Sequence, residues 1–126
     1  MDLTPRRFGN TVVLSPSGRI DHATSEEFKV ALLEQVGSTA GKDPIVLDLG
    51  GVEYIASTGL RALMLASRQA KAQGSTLVAA ALQPLVHEVF EIARFTLVFK
   101  IFGSVRDALA ELSPDGLAAF EAAGSR

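Results

Sequence analysis

The chain has 126 residues, 48% of them hydrophobic, which suits one domain with a sizeable core and argues against disorder. Twelve basic against fourteen acidic residues give a formal net charge of −2, so there is no basic footprint for nucleic acid. Cysteine is absent, which excludes disulfides, thiolate chemistry and cysteine-ligated zinc.

"LTPRRF" reads as an edge strand, because Pro5 is tolerated at an edge and not in the middle of a sheet. "TVVLSPSG" is a short β-branched strand closed by Ser-Pro-Ser-Gly punctuation. In "DHATSEEFKVALLEQVG" a loop leads into a helix. Thr24 and Glu27 have capping-box spacing, Phe28, Ala31, Leu32 and Val36 form the apolar stripe, and Gly37 is the expected stop. The polar "STAGKD" connects to "PIVLDL", whose unbroken apolar run suits a strand buried on both faces. Asp48, at the end of that strand, is placed to cap the turn that follows.

A helix over roughly Thr58–Gln73 comes next, burying Leu60, Leu63 and Met64 with Ser67 or Ala70, and Gly74 ends it. "STLVAAAL" is a further buried strand. "QPLVHEVFEIAR" is a helix with Pro84 in its first turn and Val86, Val89, Phe90 and Ala93 inward. "LVFKIF" reads as another strand, and "SVRDALAEL" as a helix with Ser104 and Asp107 spaced for capping. The tail "SPDGLAAFEAAGSR" offers a short helix after Pro114, with a composition equally suited to fraying. From Ile45 onward strand and helix alternate, so the expected fold is α/β: a mixed, mostly parallel sheet of about five strands with about four helices. No apolar run approaches the ~18 residues of a membrane span. The first fourteen residues contain no signal-peptide core, so a cytoplasmic location is expected, without membrane insertion.

Catalytic signatures are scarce. "GSTAGKD" fails as a phosphate-binding loop: the glycines are too close, Asp43 stands where Ser or Thr belongs, and a helix precedes it. His22 and His87 lack metal-binding spacing. Asp21, His22 and Ser57 contain the residue types of a hydrolytic triad, but the G-x-S-x-G elbow is missing. Neither cofactor nor metal is expected.

The informative stretch is "DLGGVEYIASTGLRALMLASRQ". Ser57 and Thr58 stand side by side where the helix begins, followed by Gly59. Either hydroxyl can serve as N-cap, which leaves the other free. A phosphoryl group on the free one meets unpaired N–H donors and the positive end of the helix dipole, while its charge opposes any partner lying across the turn. On a helical wheel Arg61, Leu65, Arg68 and Ala72 share one stripe opposite Leu63 and Ala70, so Leu65 is expected to be exposed between two arginines.

Three segments, "GRIDHATSEEF", "IVLDLGGVEYIASTGLRALM" and "VFEIARFTLVFKIFGSVRDAL", in this order and spacing, resemble the STAS domain of bacterial anti-sigma factor antagonists over about Leu3 to Leu112. The resemblance implies a domain over 3–112 and a tail over 113–126. It places the family's phosphoacceptor on Ser57, with Thr58 as second choice, and the partner-contacting acid of the early loop on Asp21. His22, Gly59, Arg61, Leu65 and Arg68 complete the expected docking face. It implies a module that is not an enzyme but the substrate of one. The unphosphorylated form binds an anti-sigma factor that is also a serine kinase, sigma is released, phosphorylation switches binding off, and a PP2C-type phosphatase resets it. A cytosolic STAS subunit of a lipid or anion transport complex is the alternative. Two positions depart from the family pattern: Ala56 replaces the usual aspartate before the serine, and Arg94 replaces a usual glycine after the third helix.

Overall fold

The computed structural model describes residues 2–39 and 41–124. The chain opens with a hairpin of β1 (Arg6–Phe8) and β2 (Thr11–Leu14), turned at Gly9, whose φ of +60° favours a residue without Cβ. β2 pairs in parallel with β4 (Ile45–Asp48), β4 with β6 (Leu77–Ala80), and β6 with β7 (Ile101–Phe102). The sheet order is therefore β1-β2-β4-β6-β7, mixed and mostly parallel as expected. Every residue of β2 and β6 is buried, as are Ile45, Val46 and Leu47 of β4. Unbroken apolar runs are what a sheet covered on both faces requires.

Helices α1 (Ser25–Ser38), α2 (Ser57–Ala72) and α3 (Pro84–Ile92) supply one core, built on Phe28, Leu32, Leu63, Val86 and Phe90. α4 (Val105–Leu112) covers the opposite face through Val105, Ala108 and Leu109. The tail forms α5 (Pro114–Gly124), with Leu117 and Phe120 on that second core and Phe120 edge-on to Phe8 at 5.3 Å. Among the described residues the helices are thus the four expected and the short one that the tail offered.

Several local expectations need correction. β3 (Ser17–Ile20) and β5 (Gly51–Ile55) form a separate parallel pair that the Ser-Pro-Ser-Gly and Gly-Gly signals concealed. They extend β2 and β4 beyond bends at Ser15–Pro16 and Leu49–Gly50. Asp48 Oδ1 accepts the Gly50 N–H at 3.0 Å and caps the second bend, as its position predicts. Thr24 holds the N-cap position of α1 but its side chain does not cap the helix; its hydroxyl bonds to the Arg19 carbonyl, and Asp21 Oδ1 closes the preceding turn by accepting the Ala23 and Thr24 N–H groups. Gly37 lies inside α1 and does not stop it. A Cβ there would stand 2.9 Å from Gln69 Nε2 of α2.

"LVFKIF" is a strand only at Ile101–Phe102. A 3-10 turn spans Phe95–Leu97, and Leu97 is 78% exposed. The spacing of Phe95 and Phe99 explains this, because a helical turn stacks their rings at 5.7 Å, with Phe90 edge-on to Phe95 at 5.6 Å. Arg94 enters that turn at φ +63°, in the left-handed region, and Ala93, expected inward, is exposed. Ser104 caps α4 as expected, accepting the Asp107 N–H at 3.0 Å.

Candidate functional site: the start of α2 and the groove beside α1

β5 delivers the chain to the top of the core. The Ala56 N–H bonds to the Ile20 carbonyl at 2.7 Å, which fixes the point where α2 begins. Ala56 is the N-cap, and no side chain caps the helix. Neither Ser57 nor Thr58 is the cap, contrary to the sequence expectation; they are the first two helical residues. An alanine methyl accepts no hydrogen bond, so the first N–H groups of α2 have no side-chain acceptor. Gly59 follows because nothing larger fits: a Cβ there would lie 2.7 Å from both Ile20 Cγ2 and Ile55 Cγ1. The helix therefore sits close on the ends of β3 and β5, with both hydroxyl residues exposed.

The two hydroxyls are not equivalent. Thr58 Oγ1 lies 2.6 Å from Ser25 Oγ at the start of α1. Ser25 Oγ in turn donates to the Asp21 main-chain carbonyl. Ser25 has one hydroxyl proton and it is committed, so Thr58 is the donor between them. Ser57 Oγ has no hydrogen-bond partner among the described residues and carries the free hydroxyl. Sequence reasoning missed Ser25. Its role depends on a residue 33 positions away, and locally it looks like any polar first helical residue.

Asp21 is half-buried, and its carboxylate turns into its own loop. Desolvation by that loop pushes its pKa up. The Thr24 N–H, the Thr24 hydroxyl and the Ala23 N–H, with Arg19 nearby, outweigh it and hold the pKa below the ordinary aspartate value. These bonds tie Asp21 Oδ1 to Ala23 and Thr24 rather than to His22, so no Ser–His–Asp relay is assembled here.

His22, Thr58, Arg61 and Leu65 converge on one groove of about 440 Å³ between α1 and α2, closed on the α1 side by Glu26 and Lys29. Lys29 is paired with Glu26 at 3.2 Å. Asp21, Ser57 and Arg68 lie outside the groove lining. Leu65 is 36% exposed between exposed Arg61 and Arg68, as the wheel predicts. Among the described residues neither arginine has an ion pair, and no cluster of three metal-ligating side chains is present. Among the same residues, no helix is long and apolar enough to cross a membrane.

A five-stranded mixed sheet, a β5–α2 turn carrying Ser-Thr-Gly and an early loop fastened to it together define a class of small α/β domain. The family model described as "Mlab, STAS domain" matches residues 3–99, and the chain belongs to that STAS family. It is 36% identical over 110 residues to a Bordetella bronchiseptica protein named "Putative anti-sigma factor antagonist BtrV", covering 87% of this chain and 92% of that one. The fold matches an anti-sigma-factor antagonist (STAS) domain protein of Planctomyces limnophilus with a TM-score of 0.78 at 17% identity, covering 90% of this chain and 99% of that one. It also matches the anti-sigma factor antagonist SpoIIAA in its unphosphorylated form with a TM-score of 0.69 at 15% identity, covering 86% of this chain and 93% of that one.

Proposed function

We propose that this chain is an anti-sigma factor antagonist, a cytoplasmic binding module switched by phosphorylation of Ser57. One observation carries the reading: Ser57 holds the free hydroxyl at an uncapped helix start, while the neighbouring Thr58 proton is committed to Ser25. The 36% identity to a protein named an anti-sigma factor antagonist supports the same function.

The unphosphorylated turn and the adjoining α1–α2 groove dock the anti-sigma factor, which then lets go of sigma. The partner is also the kinase and holds ATP. Ser57 Oγ bonds to the γ-phosphorus, the bond to the β–γ bridging oxygen breaks, and ADP leaves. The hydroxyl proton passes to a base on the kinase. A PP2C-type phosphatase restores the serine by adding water and releasing phosphate.

The phosphoryl adds about −1.5 to −2 charge. On the isolated chain it is well tolerated, because the N–H groups at the start of α2 and the helix dipole favour an anion there. Beneath a docked partner the same charge must be desolvated or matched. Ala56, where the family pattern has aspartate, leaves those donors without a side-chain acceptor.

The test is phosphopeptide mapping after incubation with ATP and the cognate kinase. Modification confined to Ser57, and lost in Ser57→Ala, is the expected result. Modification elsewhere, or none, overturns the assignment.

A further inference from the structure

We propose that Arg61 is the residue through which a phosphoryl group on Ser57 acts: it faces the partner in the unmodified protein and is captured by the phosphate in the modified one. This rests on the reading of Ser57 as the phosphoacceptor. α2 carries Arg61, Arg68 and Lys71 and no acidic residue, in a chain whose net charge is −2. Arg61 lies near the positive end of its own helix dipole, where a cation is disfavoured, and has no acidic partner among the described residues. The acid that lines the groove with it, Glu26, is engaged by Lys29 at 3.2 Å.

Ser57 and Arg61 are four residues apart, so they are neighbours on one helix face. A guanidinium offers a phosphate a fork of donors, and nothing on α2 competes for it. The unmodified face presents Leu65 flanked by two cations without an ion pair among the described residues, which suits a partner surface with an apolar contact between carboxylates. Arg61 and Arg68 contribute +2 to this face. The phosphoryl's charge of about −1.5 to −2 brings it near zero and removes the attraction.

Phosphoserine placed at position 57 during translation allows a test without a kinase. The second phosphate pKa is read by 31P NMR titration in otherwise wild-type protein and in the Arg61→Gln, Arg68→Gln and Lys29→Gln variants. The other charged or titratable groups facing the groove are His22 and Glu26. Pairing with a cation favours the dianion, so the wild-type pKa is expected about 0.2–0.4 unit below that of Arg61→Gln. Arg68→Gln, about three turns beyond Ser57, is expected to match wild type. The Arg61 Nε signal should move with the same midpoint.

Identical pKa values in wild type and Arg61→Gln, with an unmoved Nε signal, overturn the proposal. So does a shift abolished by Lys29→Gln and retained in Arg61→Gln. Failure of the kinase to modify Ser57 would instead overturn the reading beneath it and leave this pairing measurable.

Discussion

Replacing Gly59 by alanine places a methyl carbon 2.7 Å from Ile20 Cγ2, 2.7 Å from Ile55 Cγ1 and 3.2 Å from Ile55 Cδ1. Carbon pairs are at ease near ~3.5–4.0 Å, so the start of α2 must move away by roughly 1 Å. Ile20 and Ile55 are 0% and 1% exposed and have no room to retreat. Overpacking of this kind costs about 1–3 kcal/mol. The move also stretches the 2.7 Å bond from Ala56 N–H to the Ile20 carbonyl, worth about 0.5–1.5 kcal/mol. Alanine's higher helix propensity offsets up to about 1 kcal/mol. The net expectation is a destabilisation of about 0.5–3.5 kcal/mol, read by urea unfolding as a lower midpoint at unchanged m-value. Gly37→Ala is the control. That glycine is also helical, but its added methyl meets only the end of the flexible Gln69 side chain, so stability should be unchanged or higher by up to about 1 kcal/mol. A Gly59→Ala protein as stable as wild type would refute the argument that close approach dictates glycine there.

Arg94→Gly relieves a φ of +63° and should stabilise the fold by about 0.5–1 kcal/mol in the same assay; no gain would mean the turn carries no strain. The Asp21 carboxyl has a lowered folded pKa, so its contribution is present above the ordinary aspartate pKa and lost as pH falls through the folded value. Wild type should therefore exceed Asp21→Asn in stability at pH 7, and the gap should close on acidification below pH ~4; a gap independent of pH would contradict the assigned bonds. Leu65→Asp should leave the unfolding midpoint nearly unchanged while weakening partner binding at least about tenfold, and a large stability loss would place Leu65 in the core.

The sequence made the alternating architecture legible where burial on both faces leaves an unbroken apolar run, as in β4 and β6. It hid β3 and β5, because Ser17, Gly18 and Gly51 pair through backbone and carry none of the usual strand side chains. It misread Leu97–Lys100 because apolar residues in a row look like a strand, whereas here two phenylalanines four apart close a turn. The arginine-flanked Leu65 was visible on a wheel, since helix faces follow from local spacing. The difference between Ser57 and Thr58 was not, because it is made by Ser25 and the Asp21 carbonyl, brought in by the packing of α1 on α2. The glycine usual after the third helix has a physical counterpart in the left-handed backbone that Arg94 adopts.

The central claim, that charge on Ser57 governs docking, is tested most directly by calorimetric titration of the cognate anti-sigma factor with unmodified protein and with protein carrying phosphoserine at position 57. A burden of about 2–4 kcal/mol at a central turn predicts affinity weaker by about thirty- to thousandfold for the modified protein. Equal affinities for the two forms would contradict it.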